Sequence, residues 1–160
     1  GMQDYSHGLR IVENIPLDTV VLERMIADPD DLHLVWPQAE YPFNHQQWRA
    51  ELDPANGTVS FLVYTEDECP VGHGALAPVR GDRDSVMVRF LYIAPELRSR
   101  GAGRELLSLL EKRAKETMGA RRLILKVRTY NERAMNCYGK FGFREYSREG
   151  TLVMMEKEVL

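Results

Sequence analysis

Apolar residues along the chain follow two rhythms that alternate with each other. Strand-like runs, alternating or continuously apolar and rich in β-branched and aromatic residues, predict strands over 9–13 (LRIVE), 58–65 (TVSFLVYT), 71–79 (VGHGALAPV), 85–93 (SVMVRFLYI) and 122–128 (RLILKVR). A helical rhythm governs 103–117, where Leu106, Leu107, Leu109, Leu110 and Ala114 recur on one face, and a second helix is predicted from Asn131 to about Lys140. Nearer the start, Pro16 and Asp18 open a predicted helix with Val20, Val21, Met25 and Ile26 on one side, and residues 45–52 predict a short one. From Asp28 to Asn44 the prolines 29, 37 and 42 interrupt either rhythm, which predicts an irregular segment carrying Trp36, Tyr41 and Phe43.

Turn chemistry joins these pieces. EDECP links 58–65 to 71–79 as an antiparallel hairpin, RGDRD leads into 85–93, Pro95 stops that strand, and Gly119 caps the long helix. FREYSR and TLVMMEKEV flank Glu149 and Gly150 as a closing hairpin would. The order β, α, α, β, β, β, α, β, α, β, β implies an α/β fold, a mixed sheet with helices packed on it. With 160 residues, no internal repeat and no linker, the whole span 1–160 reads as a single domain.

Composition narrows the function classes. A net charge of −3 with 28% charged residues lacks the basic excess of a dedicated nucleic-acid binder, so no nucleic-acid partner is expected. No apolar run approaches the ~20 residues of a membrane span, and GMQDYSHGLR has no signal-peptide core, so no membrane and a cytoplasmic location are the expectations. Gly1 ahead of Met2 reads as a residue left by tag removal. Cys69 and Cys137 have no metal-ligand spacing and are too few for a disulfide framework, so reduced thiols and no metal are expected.

The candidate chemistry begins at RSRGAG, Arg98 to Gly103, between a strand and the leucine-rich helix. Bare amides at a helix start attract anions, and glycines let a phosphate approach them. Successive amides from Ser99 through Arg100, Gly101, Ala102 and Gly103 to Arg104 can converge on a diphosphate, with Arg100 and Arg104 adding charge. A P-loop is absent, and a dinucleotide-binding G-x-G-x-x-G fails because its third glycine position is Leu106.

Arg98-x-x-Gly101-x-Gly103 between strand and helix resembles the Gln/Arg-x-x-Gly-x-Gly/Ala signature of the GNAT superfamily of acetyl-CoA-dependent N-acetyltransferases. Downstream, Asn131-x-x-Ala134-x-x-x-Tyr138-x-x-x-Gly142-Phe143 is similar to the second half of the same pattern, and the element order fits over essentially the whole chain. The resemblance implies a mostly antiparallel mixed sheet with a central splay and helices on both faces. It implies acetyl-CoA as cosubstrate and direct transfer of its acetyl group to a primary amine. Leu91, Tyr92 and Ile93 would pair with the pantetheine amides, Asn131 would bond the same arm while capping its helix, and Tyr138 would protonate the departing thiolate.

Some relatives carry a glutamate base five residues before the asparagine, and here that position is Lys126. Lys126, with Arg89 and Arg128, can attract an acidic substrate or serve as a solvated strand charge. Glu40, His45 and His73 are the other candidate acceptor-side or base residues. Trp36, Tyr41, Phe43 and Trp48 either wall an acceptor pocket or cover the sheet, Cys137 reads as packing, and Gly142 with Phe143 as a turn and core anchor. A non-catalytic acyl-CoA-binding domain is the alternative that the missing glutamate permits, and a protein-interaction module using the aromatic segment is a third. The terminal strands offer an exposed edge through which two copies can pair as a homodimer.

Overall fold

The computed structural model describes residues 8–160. In chain order the elements are β1 (Arg10–Glu13), α1 (Thr19–Met25), α2 (Pro29–Val35), α3 (His45–Glu51), β2 (Val59–Tyr64), β3 (Pro70–Val79), β4 (Asp82–Ile93), α4 (Ala102–Met118), β5 (Arg122–Arg128), α5 (Glu132–Phe141), β6 (Arg144–Glu149) and β7 (Leu152–Glu158). The strands form one sheet in the order β1-β2-β3-β4-β5-β7-β6, antiparallel throughout except for the β4–β5 pair.

That parallel pair is short. Only Ser85, Val86 and Met87 are matched with Arg122, Leu123 and Ile124. Beyond them the two strands part, so Val88–Ile93 and Leu125–Arg128 face a gap in the middle of the sheet. β3 contributes to the parting through a bulge in β4. His73 is matched with Tyr92 and Ala75 with Arg89, leaving Gly74 opposite both Phe90 and Leu91. Phe90 takes the left-handed backbone this requires, with φ of 53°. The extra residue reverses which side chains face which layer. Val86 and Val88 join the core beneath α4, whereas Phe90 and Tyr92 join the opposite core.

Two apolar layers flank the sheet. On one face Leu106, Leu107, Leu110 and Ala114 of α4 meet Phe61, Val63, Leu76, Leu123 and Leu125, with α5 packed beside them. Gly74 is needed here, because a Cβ would sit 2.8 Å from Leu110 Cδ1. On the other face Leu22, Ile26, Leu32, Trp36, Trp48 and Leu52 cover Leu62, Ala75, Phe90 and Tyr92. Trp36 meets Trp48 edge-on at 5.1 Å between ring centroids and Phe90 at 5.3 Å, an arrangement that favours ring quadrupoles.

Three details depart from the sequence expectation. The irregular segment contains a helix, α2, because the Asp28 side chain accepts from the amides of Asp30 and Asp31 and Pro29 occupies the first turn, where its missing N–H costs nothing. In α1 the buried ridge is Thr19, Leu22 and Ile26, while Val20 is exposed, since Asp18 capping Val20 and Val21 sets the rotation of the first turn. β4 begins at Asp82 rather than at residue 85, so the RGDRD turn is tighter than its polarity suggests.

Candidate active site

A cleft of about 640 Å³ occupies the gap between β4 and β5. Its walls come from both faces of the sheet: Gly103, Cys137 and Tyr138 from the α4–α5 side, and Leu34, Trp36 and Gln38 from the α1–α3 side. The cleft therefore runs through the sheet, which only a split between strands permits.

At one end lies the loop into α4. Ser99 and Gly101 both have left-handed backbone, with φ of 63° and 85°, and turn the chain sharply into the helix. Only glycine holds that conformation at no steric cost, which accounts for Gly101. The amides of Ala102 and Gly103 then fall in the first turn, where no carbonyl four residues back is placed to receive them. A Cβ on Gly103 would meet Cys137 Sγ at 2.9 Å, so glycine also sets how closely α4 approaches α5. Arg104, Arg133 and Lys140 line the same end. Amides, helix dipole and cations together suit a diphosphate.

Arg98 does something other than face that anion. Its Nε donates to the Ile93 carbonyl at 2.8 Å, its two terminal nitrogens donate to the two Asp31 carboxylate oxygens at 3.3 and 3.1 Å, and its guanidinium lies over the Tyr92 ring. The side chain pins the loop to the end of β4 and to α2. Signature position and phosphate contact are thus separated: the loop backbone is presented, and the Arg98 side chain holds it.

Along β4, the Ala94 amide donates to the Val71 carbonyl of β3. Strand backbones alternate direction, so Tyr92 also turns its backbone to β3, while Leu91 and Ile93 turn theirs to the gap. Ile93 gives its carbonyl to Arg98, leaving the Leu91 amide and carbonyl and the Ile93 amide for an extended ligand. The Tyr92 hydroxyl donates to the Met25 carbonyl on the far side of the sheet. These residues fit a long thioester cofactor with a diphosphate at one end.

Asn131 and Tyr138 stand at the opposite wall. Asn131 caps α5, its side-chain oxygen accepting from the Ala134 amide, and also lines the cleft. Tyr138 lines the cleft with its ring edge-on to Phe143, and its hydroxyl has no partner among the described residues. Burial pushes the phenol well above its ordinary range, so it stays protonated and able to donate. Burial likewise raises the neighbouring Cys137 thiol, against the pull of Arg104 and Lys140, and keeps it neutral.

The acceptor-side candidates divide. Trp36 and Lys126 line the cleft, as do Arg89 and Arg128. Trp48 is fully buried in the aromatic core. Glu40, Tyr41 and His45 lie on a separate shallow groove with Phe43. There Glu40 accepts from the Asn44 side chain, and His45 sits between the Thr19 hydroxyl, 2.8 Å from Nδ1, and Glu23, 3.5 Å from Nε2. His73 is outside the cleft altogether. It is fully buried, Nδ1 donating to the Phe90 carbonyl at 2.8 Å and Nε2 accepting from the Ser60 hydroxyl at 2.7 Å, and burial lowers its pKa to about 4. A ring so placed braces the bulge in β4. The sequence reading missed Asp31, Leu34 and Gln38 at the cleft, and the Asp28–Pro29 helix start was the signal that could have found them.

Comparison with known proteins agrees with this geometry. The fold is similar to that of spermidine N-acetyltransferase from Vibrio cholerae in complex with CoA and spermine, at TM-score 0.77 and 17% identity over 96% of this chain and 97% of that one. It is also similar to the Campylobacter jejuni N-acetyltransferase PseH in complex with acetyl coenzyme A, at TM-score 0.67 and 18% identity over 94% and 98%. No curated protein sequence matches the chain. The model of the acetyltransferase (GNAT) family matches residues 22–143, which span part of α1, the whole of α2 and α3, the loop into α4 and the whole of α5, and the chain belongs to that family.

Proposed function

We propose that the protein transfers the acetyl group of acetyl-CoA, the family's cosubstrate, to a primary amine by direct attack on the thioester. The observation that carries this reading is the position of Tyr138, a protonated phenol without a partner among the described residues, in the same through-sheet cleft as the amides that begin α4. Acetyl-CoA supplies a thioester carbonyl; the protein supplies the rest. The α4 amides with Arg104 hold the diphosphate, Leu91 and Ile93 align the arm along β4, and Asn131 steadies it from the other wall. As the amine nitrogen bonds to the acetyl carbon, the carbon–sulfur bond breaks and Tyr138 gives its proton to sulfur, later regaining one from solvent.

The amine's own proton leaves to water. No histidine lines the cleft among the described residues, and Asp31, its one carboxylate, has both oxygens held by Arg98. An alkyl amine of pKa about 10.4 is roughly one part in a thousand neutral between about pH 7 and 7.5, so an acceptor that deprotonates readily is favoured. The lack of a carboxylate base also favours a second reading, an acyl-CoA-binding domain without turnover. Thiol release from acetyl-CoA, measured across amines, amino acids and peptide N-termini, separates the two. Amine-dependent release supports the transferase, and tight acetyl-CoA binding with no release for any amine supports the sensor.

A further inference from the structure

The acceptor side of the cleft has an unbalanced charge. Leu123, Leu125 and Val127 of β5 point into the core beneath α4, so the alternate residues Lys126 and Arg128 project to the opposite face, where Trp36 lies and the acceptor must enter. Two residues apart on one strand, they stand about 7 Å from each other. Among the described residues neither forms an ion pair: Arg128 donates only to the Thr151 hydroxyl at 3.1 Å, and Lys126 has no polar partner. The two cations of β4 and its following loop that line the cleft are matched, Arg89 by Glu51 at 2.9 Å and Arg98 by Asp31 at 3.1 Å.

Two neighbouring cations left uncompensated in a partly enclosed cleft raise its potential and await an anion. We infer that the acceptor is an amine carrying an anionic group, a carboxylate or a phosphate, which Lys126 and Arg128 receive while the amine points toward the thioester. The inference rests on the transferase reading and narrows it. Polyamines meet repulsion at the same two side chains. The arrangement also lowers the cost of an unprotonated acceptor nitrogen, because an ammonium beside two cations is disfavoured.

The test is kcat/KM for acetylation of β-alanine, aspartate, aminoethylphosphonate, propylamine and spermidine by the wild-type enzyme and by Lys126→Glu. Lys126 is exposed, and a thermal melt confirms that the variant folds. The expected result is a preference for the anionic amines over propylamine on the order of tenfold, carried mainly by KM, with spermidine slowest and the order reversed in Lys126→Glu. Whether carboxylates or the phosphonate lead identifies the anionic group. Equal rates across the charge classes, spermidine as the fastest acceptor, or an order unchanged in the variant would overturn the inference while leaving the transferase intact. Acetylation of none of them, nor of any peptide N-terminus in the same thiol-release assay, would remove the transferase reading and this one together.

Discussion

Tyr138 and His73 show how burial gives two side chains opposite duties. At Tyr138 a raised pKa preserves the proton that the leaving sulfur needs. Tyr138→Phe is therefore expected to lower kcat roughly a hundredfold while leaving CoA affinity, read by calorimetry, unchanged. At His73 burial removes the proton instead, because both ring nitrogens are already satisfied in the neutral form. With a folded pKa of about 4 against 6.5 when free, the unfolded chain binds a proton that the folded one refuses between those values. Stability thus rises as pH climbs from about 4 to 6.5 and gains nothing further from this group above it, a difference approaching roughly 3 kcal/mol. Denaturant unfolding at about pH 5 and about pH 7.5 checks the slope, and His73→Gln should lose most of it. Neither environment was readable from the chain: in VGHGALAPV the histidine alternates with glycines like any strand residue, and only the pairing of β2, β3 and β4 encloses it.

Elements were legible where their signals are local. The strand over Arg122–Arg128, the long helix with its Gly119 cap and the closing hairpin all fall where the apolar rhythm and turn residues put them. α2 was not, because its three-proline neighbourhood reads as broken unless Asp28 and Pro29 are taken together as a cap and first turn. The loop into α4 was legible as a glycine-bearing turn into a helix, but the direction of Arg98 was not, since its partner Asp31 is 67 residues away. Arg98→Ala should leave a largely buried Asp31 carboxylate unpaired and cost about 2 kcal/mol in denaturant unfolding, with a raised KM for acetyl-CoA. Adding Asp31→Ala should cost less than the two single changes summed. Gly101→Val meets a backbone with φ of 85°, so the expected outcome is a strain of about 1–2 kcal/mol and a weakening of CoA binding on the order of tenfold, with the circular dichroism spectrum retained.

At the scale of the molecule, the split in the sheet is what makes a site. Three matched pairs hold β4 to β5, and beyond them the bulge at Phe90 and the antiparallel pairing of β5 with β7 draw the strands apart. Cofactor groups can then be held from the α4–α5 face and an acceptor admitted from the α1–α3 face, with the two meeting inside the sheet rather than on its surface. The sequence resemblance implied this splay, and the sequence already grouped Lys126, Arg89 and Arg128 as cations able to attract an acidic substrate; what it did not show is that Arg89 is paired with Glu51 while Lys126 and Arg128 have no ion pair among the described residues. The most direct measurement is a crystal structure with bound CoA. The account predicts diphosphate oxygens within hydrogen-bond reach of the amides of residues 101–104, the pantetheine arm paired along Leu91 and Ile93, and the thiol nearest the Tyr138 hydroxyl. A diphosphate bound away from that helix start, or a thiol remote from Tyr138, would contradict it.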